Sequence, residues 1–363
     1  MRARFLLILA CLLGATLVSA QTPTPTATSQ AGGHLVDVYL SRQADGSDQV
    51  TLIDVLTGQT QTITTTGERY TVAGSVILFF DYVSRQVMML TSSGFLLPHP
   101  FITLDSGARQ VDWVIARDSR TIAWTETFGT PDALRTITYT ANVDGTNRHE
   151  LLRDGPKNGL RALPVAFDVD QTSLYMDMQP DGLSRLLPYP QYAGLFRVGL
   201  ATSQTETLPG EPGCFCGAGL RADQFLRFTL TQDLAGFDVQ IYDLAGRTQH
   251  TIPAIIRPNF TQVGDVLIAP DGTQAIYALS QVHNFGSVSQ NVETIFVFVD
   301  LRTFTQRPLT DPITKTLHPL QWTEENSAVL LTDYAGEGTW KLRLSDGTLT
   351  QVAKGAYLGT LKN

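Results

Sequence analysis

The chain has 363 residues, 43% hydrophobic and 17% charged, which is enough apolar material for a large core. Its 34 acidic against 26 basic residues leave a net charge of -8. Such a surface repels phosphate backbones, so nucleic acid is excluded as an expected partner.

Residues 1–20, MRARFLLILACLLGATLVSA, read as a signal peptide. Arg2 and Arg4 make the basic end, Phe5 to Val18 the apolar stretch, and Val18-Ser19-Ala20 the small residues before a cut at Gln21. The apolar run is short for a bilayer span. Lipidation at Cys11 is the competing reading, weakened by Leu9-Ala10 standing where two small residues are expected. No later segment is predicted to span a membrane. Residues 21–33, QTPTPTATSQAGG, are expected to form an extended tether, because Thr, Pro and Gly cannot pack a core. The mature chain is therefore expected to be secreted or periplasmic, with surface attachment through the tether as one arrangement.

From residue 34 the chain predicts strands only. HLVDVYL (34–40), VTLIDVL (50–56) and QTQTIT (59–64) read as three strands of an incomplete unit. Beyond them a two-strand phrase recurs around an acidic turn residue: Asp118, Asp170, Asp223, Asp271 and Glu325. The spacings are 52, 53, 48 and 54 residues, each turn being followed by a run such as TIAW, SLYM or AVLL, rich in β-formers. A second series of seven tight hairpins turns near Gly58, Gly94, Gly145, Ser203, Gly246, Thr303 and Gly347.

Four strands per repeat of about 48 residues predict an all-β, seven-bladed β-propeller with four-stranded blades, in one domain over 34–363. We label the strands of a blade A to D from the centre outward. The predicted blades cover 34–64, 69–99, 108–153, 160–209, 213–253, 261–310 and 316–353. Blade 1 lacks strand A, and GAYLGTLK (355–362) has no other assignment, so it is expected to complete blade 1 and close the ring. Six blades with a loose terminal sheet is the alternative. A monomer is expected.

At IAPDGTQAIYAL (268–279) the sequence resembles the TolB-like, WD-repeat-like propellers, whose blades carry a Pro-Asp-Gly turn before an apolar strand. Only blade 6 carries the motif cleanly; RDSR, VDQT, ADQF and EENS stand in its place elsewhere. The resemblance implies a periplasmic or secreted binding propeller. The chain lacks both the small α/β domain that precedes the propeller in TolB and the hydrolase domain of propeller-capped peptidases, so neither role is implied.

Chemistry-bearing constellations are sparse. Cys214 and Cys216 in PGCFCGAG could form a disulfide only across a bend, and free packed thiols are the competing reading. The six histidines do not converge, and solvated surface positions are expected for them. Asp112 and Asp265 each stand six residues before a turn acid, at the entrance to strand A, and are the weak candidates for a channel cation. Nucleophile elbows, zinc-binding HExxH and phosphate-binding glycine loops are absent, so no catalytic residue and no cofactor is expected.

B–C and D–A connections of a propeller emerge on one face, A–B and C–D hairpins on the other. The long B–C stretches 125–134, 179–194 and 280–293 make the first the loop-rich face. Candidate binding residues there are Leu186, Leu187, Tyr189, Tyr192, Phe128, His283 and Phe285, which either anchor a ligand or fold down to cap the blades. The leading reading is an exported, non-enzymatic scaffold for a protein, peptide or glycan. A metal-dependent lyase or hydrolase at the channel mouth, and a structural cell-envelope module, are the alternatives.

Overall fold

Among the described residues, short β-branched and aromatic runs, broken by turn residues with positive φ, form 28 strands in seven four-stranded antiparallel sheets. The computed structural model describes residues 34–182, 188–210, 217–221, 224–244, 249–333 and 338–362. Residues 1–33, read above as signal peptide and tether, and Leu186, Leu187, Cys214 and Cys216 lie outside the described residues. Blade 1 contains β1 (Leu35–Arg42), β2 (Asp48–Asp54) and β3 (Thr60–Thr65). Blades 2 to 7 follow with four consecutive strands each, β4–β7 through β24–β27, over 67–98, 108–157, 160–207, 218–252, 262–308 and 318–353. No helix of the described residues is long and apolar enough to cross a membrane.

The last strand, β28 (Ala356–Lys362), pairs antiparallel with β1 from Leu35↔Lys362 to Leu40↔Ala356. It is the inner strand of blade 1, so the two ends of the domain share one sheet and the ring is closed. Tyr39 and Tyr357 pack at 5.4 Å between ring centroids across this pair, and Thr360 Oγ1 donates to Asp37 at 2.6 Å.

Each blade buries both faces by period-two alternation. On β21 (Gln274–His283), Ala275, Tyr277 and Leu279 enter the core shared with blade 5, while Ile276 and Ala278 enter the core shared with blade 7. Burying such a side chain contributes about 1.5–3 kcal/mol for the larger ones. Six apolar clusters fill the seams from blades 1/2 round to 6/7. At the seam between blades 7 and 1, Thr339 Oγ1 donates to Gly355 O and accepts from Tyr357 N–H, both at 2.8 Å.

Two of the recurring turn acids, Asp118 and Asp271, cap A–B hairpins. Asp118 accepts the Arg120 N–H at 2.9 Å and Asp271 the Thr273 N–H at 3.0 Å, with Ser119 and Gly272 at positive φ. In blade 4 the cap is Asp168 rather than Asp170, accepting from Thr172 and Ser173. Two of the expected B–C loops prove to be mostly strand. β9 (Thr121–Phe128) and β10 (Leu134–Asn142) leave five residues between them, and β21 and β22 (Asn291–Asp300) leave seven. Only the connection between β13 (Ser173–Pro180) and β14 (Leu195–Gly199) is long.

Candidate functional site: the two ends of the channel

At the loop-rich end, the β13–β14 connection leaves blade 4 and reaches the seam of blades 6 and 7. Tyr189, only 2% exposed, joins the cluster of Ile276, Phe296 and Leu317 there. Its hydroxyl lies 2.7 Å from Ser280 Oγ and 2.5 Å from Thr294 Oγ1, and these two hydroxyls are 2.9 Å apart. The His318 ring meets Tyr189 edge-on at 5.7 Å. Gln191 Nε2 donates to Val263 O at 2.7 Å. Gly264 is required beneath this chain, because a Cβ there would sit 2.6 Å from the Tyr189 Cβ. On the return leg, Asp177 accepts the N–H groups of Ala193 and Gly194 at 3.1 and 2.8 Å. Residues 189–194 thus form a strap, held to blade 6 through Tyr189 and Gln191 and to blade 4 through Ala193 and Gly194.

Burial pushes the Asp177 carboxyl up to about 6, against the opposing pull of those two amides. Tyr192 is partly buried within the strap; burial, with the Asp265 and Asp177 carboxylates nearby, pushes its hydroxyl well up. Arg227, almost fully enclosed, has its guanidinium pKa lowered by burial.

Beside the strap, inner strands carry an ionic network. Asp112 on β8 (Ala108–Ile115) pairs with Arg69 of β4 (Gly67–Ala73) and lies 3.9 Å from Arg161 of β12 (Leu160–Phe167). Gln110 bridges them, donating to Asp112 at 3.2 Å and accepting from Arg161 at 2.7 Å. Asp181 then meets Arg161 at 3.2 Å and Arg109 at 3.3 Å. Burial, with the Arg161 charge and against that of Glu68, holds Arg69 down at about 10. Across the ring, Asp265 on β20 (Gln262–Ile268) contacts His318 Nδ1 at 2.5 Å.

Bulges set these aims. The register slips between Glu68 and Thr71 and between Gly264 and Leu267, and the residues inside, Arg69 and Asp265, have φ of 62° and 52°. Left-handed backbone at a residue with a Cβ costs roughly 1–2 kcal/mol, and it re-aims the side chain along the channel. Asp112 and Asp265 are therefore not brought together: Asp112 is held by Arg69 and Arg161 of the neighbouring blades and Asp265 contacts His318 of blade 7. Among the described residues no three His, Cys, Asp or Glu side chains converge as metal ligands.

The hairpin-side end is open. A cavity of about 530 Å³ enters the channel between the A–B turns, walled by Phe167, Leu220, Leu267, Ile268, Leu320 and Trp322. Val169 is exposed at its rim, and Asp168 there is already committed to capping. Arg117 also lines it and has no ion pair or hydrogen bond among the described residues.

The expected site residues divide. Of the two readings of Tyr189, it takes the folded-down one: its ring fills an apolar seam and its hydroxyl is satisfied within it. Tyr192 and Phe128 are half-buried. His283 lies 3.8 Å from Glu293, and Phe285 projects, 55% exposed. The surface expectation for histidines is corrected. His99 is 6% exposed, its Nδ1 accepts the Phe101 and Ile102 amides, and burial lowers its pKa to about 4. Sequence reasoning missed Arg69, Arg161 and Asp177, whose positions in strands carry no local signal. It also missed Glu126, which burial, aided by the Asp105 carboxylate, raises to about 7.

Fold comparisons agree with this architecture. An oligogalacturonate lyase in complex with manganese matches 89% of this chain and 86% of its own at 13% identity, with a TM-score of 0.54. A prolyl endopeptidase matches 88% of this chain at 11% identity and 0.56, the alignment spanning 50% of that enzyme. TolB from Acinetobacter baumannii aligns with 90% of this chain and 82% of its own at 14% identity and 0.43. No family model and no curated protein matches the sequence. At these identities the shared property is the fold: the chain is a seven-bladed β-propeller closed by its C-terminal strand.

Proposed function

We propose that this chain is an exported, TolB-like, non-enzymatic propeller that binds a protein partner on its loop-rich face at blades 5 and 6. The observation that carries this reading is a group of exposed apolar side chains on neighbouring loops. Leu234 is 71% and Ile256 56% exposed on blade 5, and Phe285 and the fully exposed Val288 follow on blade 6. Ile256 rests against Gly236, where a Cβ would lie 2.7 Å from its Cδ1, so the blade 5 residues form one surface. Convex apolar knobs of this kind suit a complementary protein surface rather than a small polar ligand. Export rests on residues 1–20 and the TolB-like reading on the turn Pro270-Asp271-Gly272.

The test is a binding screen of the purified chain against envelope proteins and glycans, with Phe285→Asp/Val288→Asp as comparison. A saturable protein hit weakened at least tenfold by the double substitution supports the reading. A glycan hit, or a hit indifferent to the substitutions, overturns it. Stoichiometric, chelatable metal by elemental mass spectrometry would instead favour a lyase or hydrolase.

A further inference from the structure

We propose that the hairpin-side cavity is a second binding site, for a hydroxylated aromatic carboxylate, with Arg117 receiving the carboxylate. The cavity, about 530 Å³, is of small-molecule size and opens between the A–B turns, on the opposite face from the loop cluster. Its lining is mixed. Phe167 and Tyr175 of blade 4 and Trp322 of blade 7 bring three aromatic side chains to it, and blades 5 and 6 add aliphatic ones. Among these stand the polar side chains of Arg117, Asp168 and Gln321.

The polar groups are mostly donors, and most are uncommitted. Arg117 makes no ion pair or hydrogen bond among the described residues, and neither do the side chains of Tyr175 and Gln321. The Trp322 indole N–H is buried and without a hydrogen bond, so an acceptor oxygen that reaches it satisfies a donor the chain leaves orphaned. Asp168, the one carboxylate in the lining, already accepts from Thr172 and Ser173. A guanidinium, an amide, a phenol and an indole N–H ask for a ligand rich in acceptor oxygens. One uncommitted cation sets its charge at minus one, as a carboxylate held by two parallel N–H donors. The aromatic side chains favour a flat ring. An alkyl chain would leave the donors unpaired. A ligand bearing an ammonium would meet Arg117 with no free carboxylate to balance it.

The probe is 4-hydroxybenzoate, titrated by calorimetry into the purified chain. Saturable binding at one site per chain is expected, at least tenfold tighter than for 4-hydroxybenzamide, which lacks the charge. It should also be tighter than for benzoate, which lacks the hydroxyl. Arg117→Gln should abolish the preference for charge. Arg117 is exposed and unpaired, so the variant folds, and it controls for binding elsewhere on the chain. No saturable binding, equal affinity for the amide or for benzoate, or a charge preference that survives Arg117→Gln overturns the proposal. So does tighter binding of gluconate, which carries a carboxylate and hydroxyls on no ring, or of dodecanoate. Phe285→Asp/Val288→Asp should bind 4-hydroxybenzoate as the wild type does, which separates this site from the protein-binding face; a loss there would overturn the cavity as the site.

Discussion

The two ends of the channel are built from the same inner strands and come out opposite. At the loop-rich end, side chains from blades 2, 3, 4, 6 and 7 are cross-braced through Asp112, Asp181, Asp177 and the Tyr189 strap. At the hairpin end, a cavity of mixed polar and apolar lining opens between the A–B turns, and Arg117 in its wall makes no ion pair or hydrogen bond among the described residues. Polar groups that partner one another across blades hold the ring together, and their loss registers as stability. Groups that line open space register as affinity. Substitutions at the closed end should therefore unfold the protein before they touch ligand binding, and those at the open end should do the reverse.

The largest effect is expected at the strap. Tyr189→Ala empties part of the blade 6/7 seam and leaves Ser280 and Thr294 without their third hydroxyl, a cost of about 3–5 kcal/mol in urea unfolding. Tyr189→Phe removes the hydroxyl alone and should cost about 1–2 kcal/mol. A Tyr189→Ala cost below that of the phenylalanine variant would mean the strap braces nothing.

Next comes pH. The folded Asp177 titrates near 6 rather than 3.8, so the unfolded chain ionises it first. Its contribution is most favourable below pH 4 and is lost between about pH 4 and 6, a change of about 3 kcal/mol. Asp177→Asn keeps an oxygen for the Ala193 and Gly194 amides and loses the titration. The variant should therefore gain on wild type as pH rises from 4 to 7; a constant difference across that window would refute the assignment.

Gly264→Ala is smaller, about 1–3 kcal/mol, since the new methyl must displace the strap by a fraction of an ångström. At the open end, Arg117→Gln and Val169→Ser should each move stability by less than about 0.5 kcal/mol. A larger loss for either would show that the open end is braced as well, and would erase the contrast.

Much of this fold is legible residue by residue. Alternating apolar runs, an acid in the hairpin turns and Gly or Ser at positive φ are local features, which is why the repeat and the blades emerge from one sequence. The missing strand of blade 1 was legible by elimination, since GAYLGTLK had no other partner. The strap was not. Tyr189 among prolines has the local look of a surface anchor, and only the arrival of blades 6 and 7 beside blade 4 makes it a core residue.

The sequence by itself determined strand content, repeat length, turn chemistry and ring closure, because each depends on contacts between chain neighbours or on counting. Tertiary structure decided which end of the channel is cross-braced, which carboxylates meet guanidinium groups, and that Arg117 makes no ion pair or hydrogen bond among the described residues. Those outcomes rest on pairs 20 to 105 residues apart, from Arg161–Asp181 to Tyr189–Thr294. Whether a buried polar group is satisfied depends on what the folded ring brings within 3 Å of it, and no local pattern encodes that.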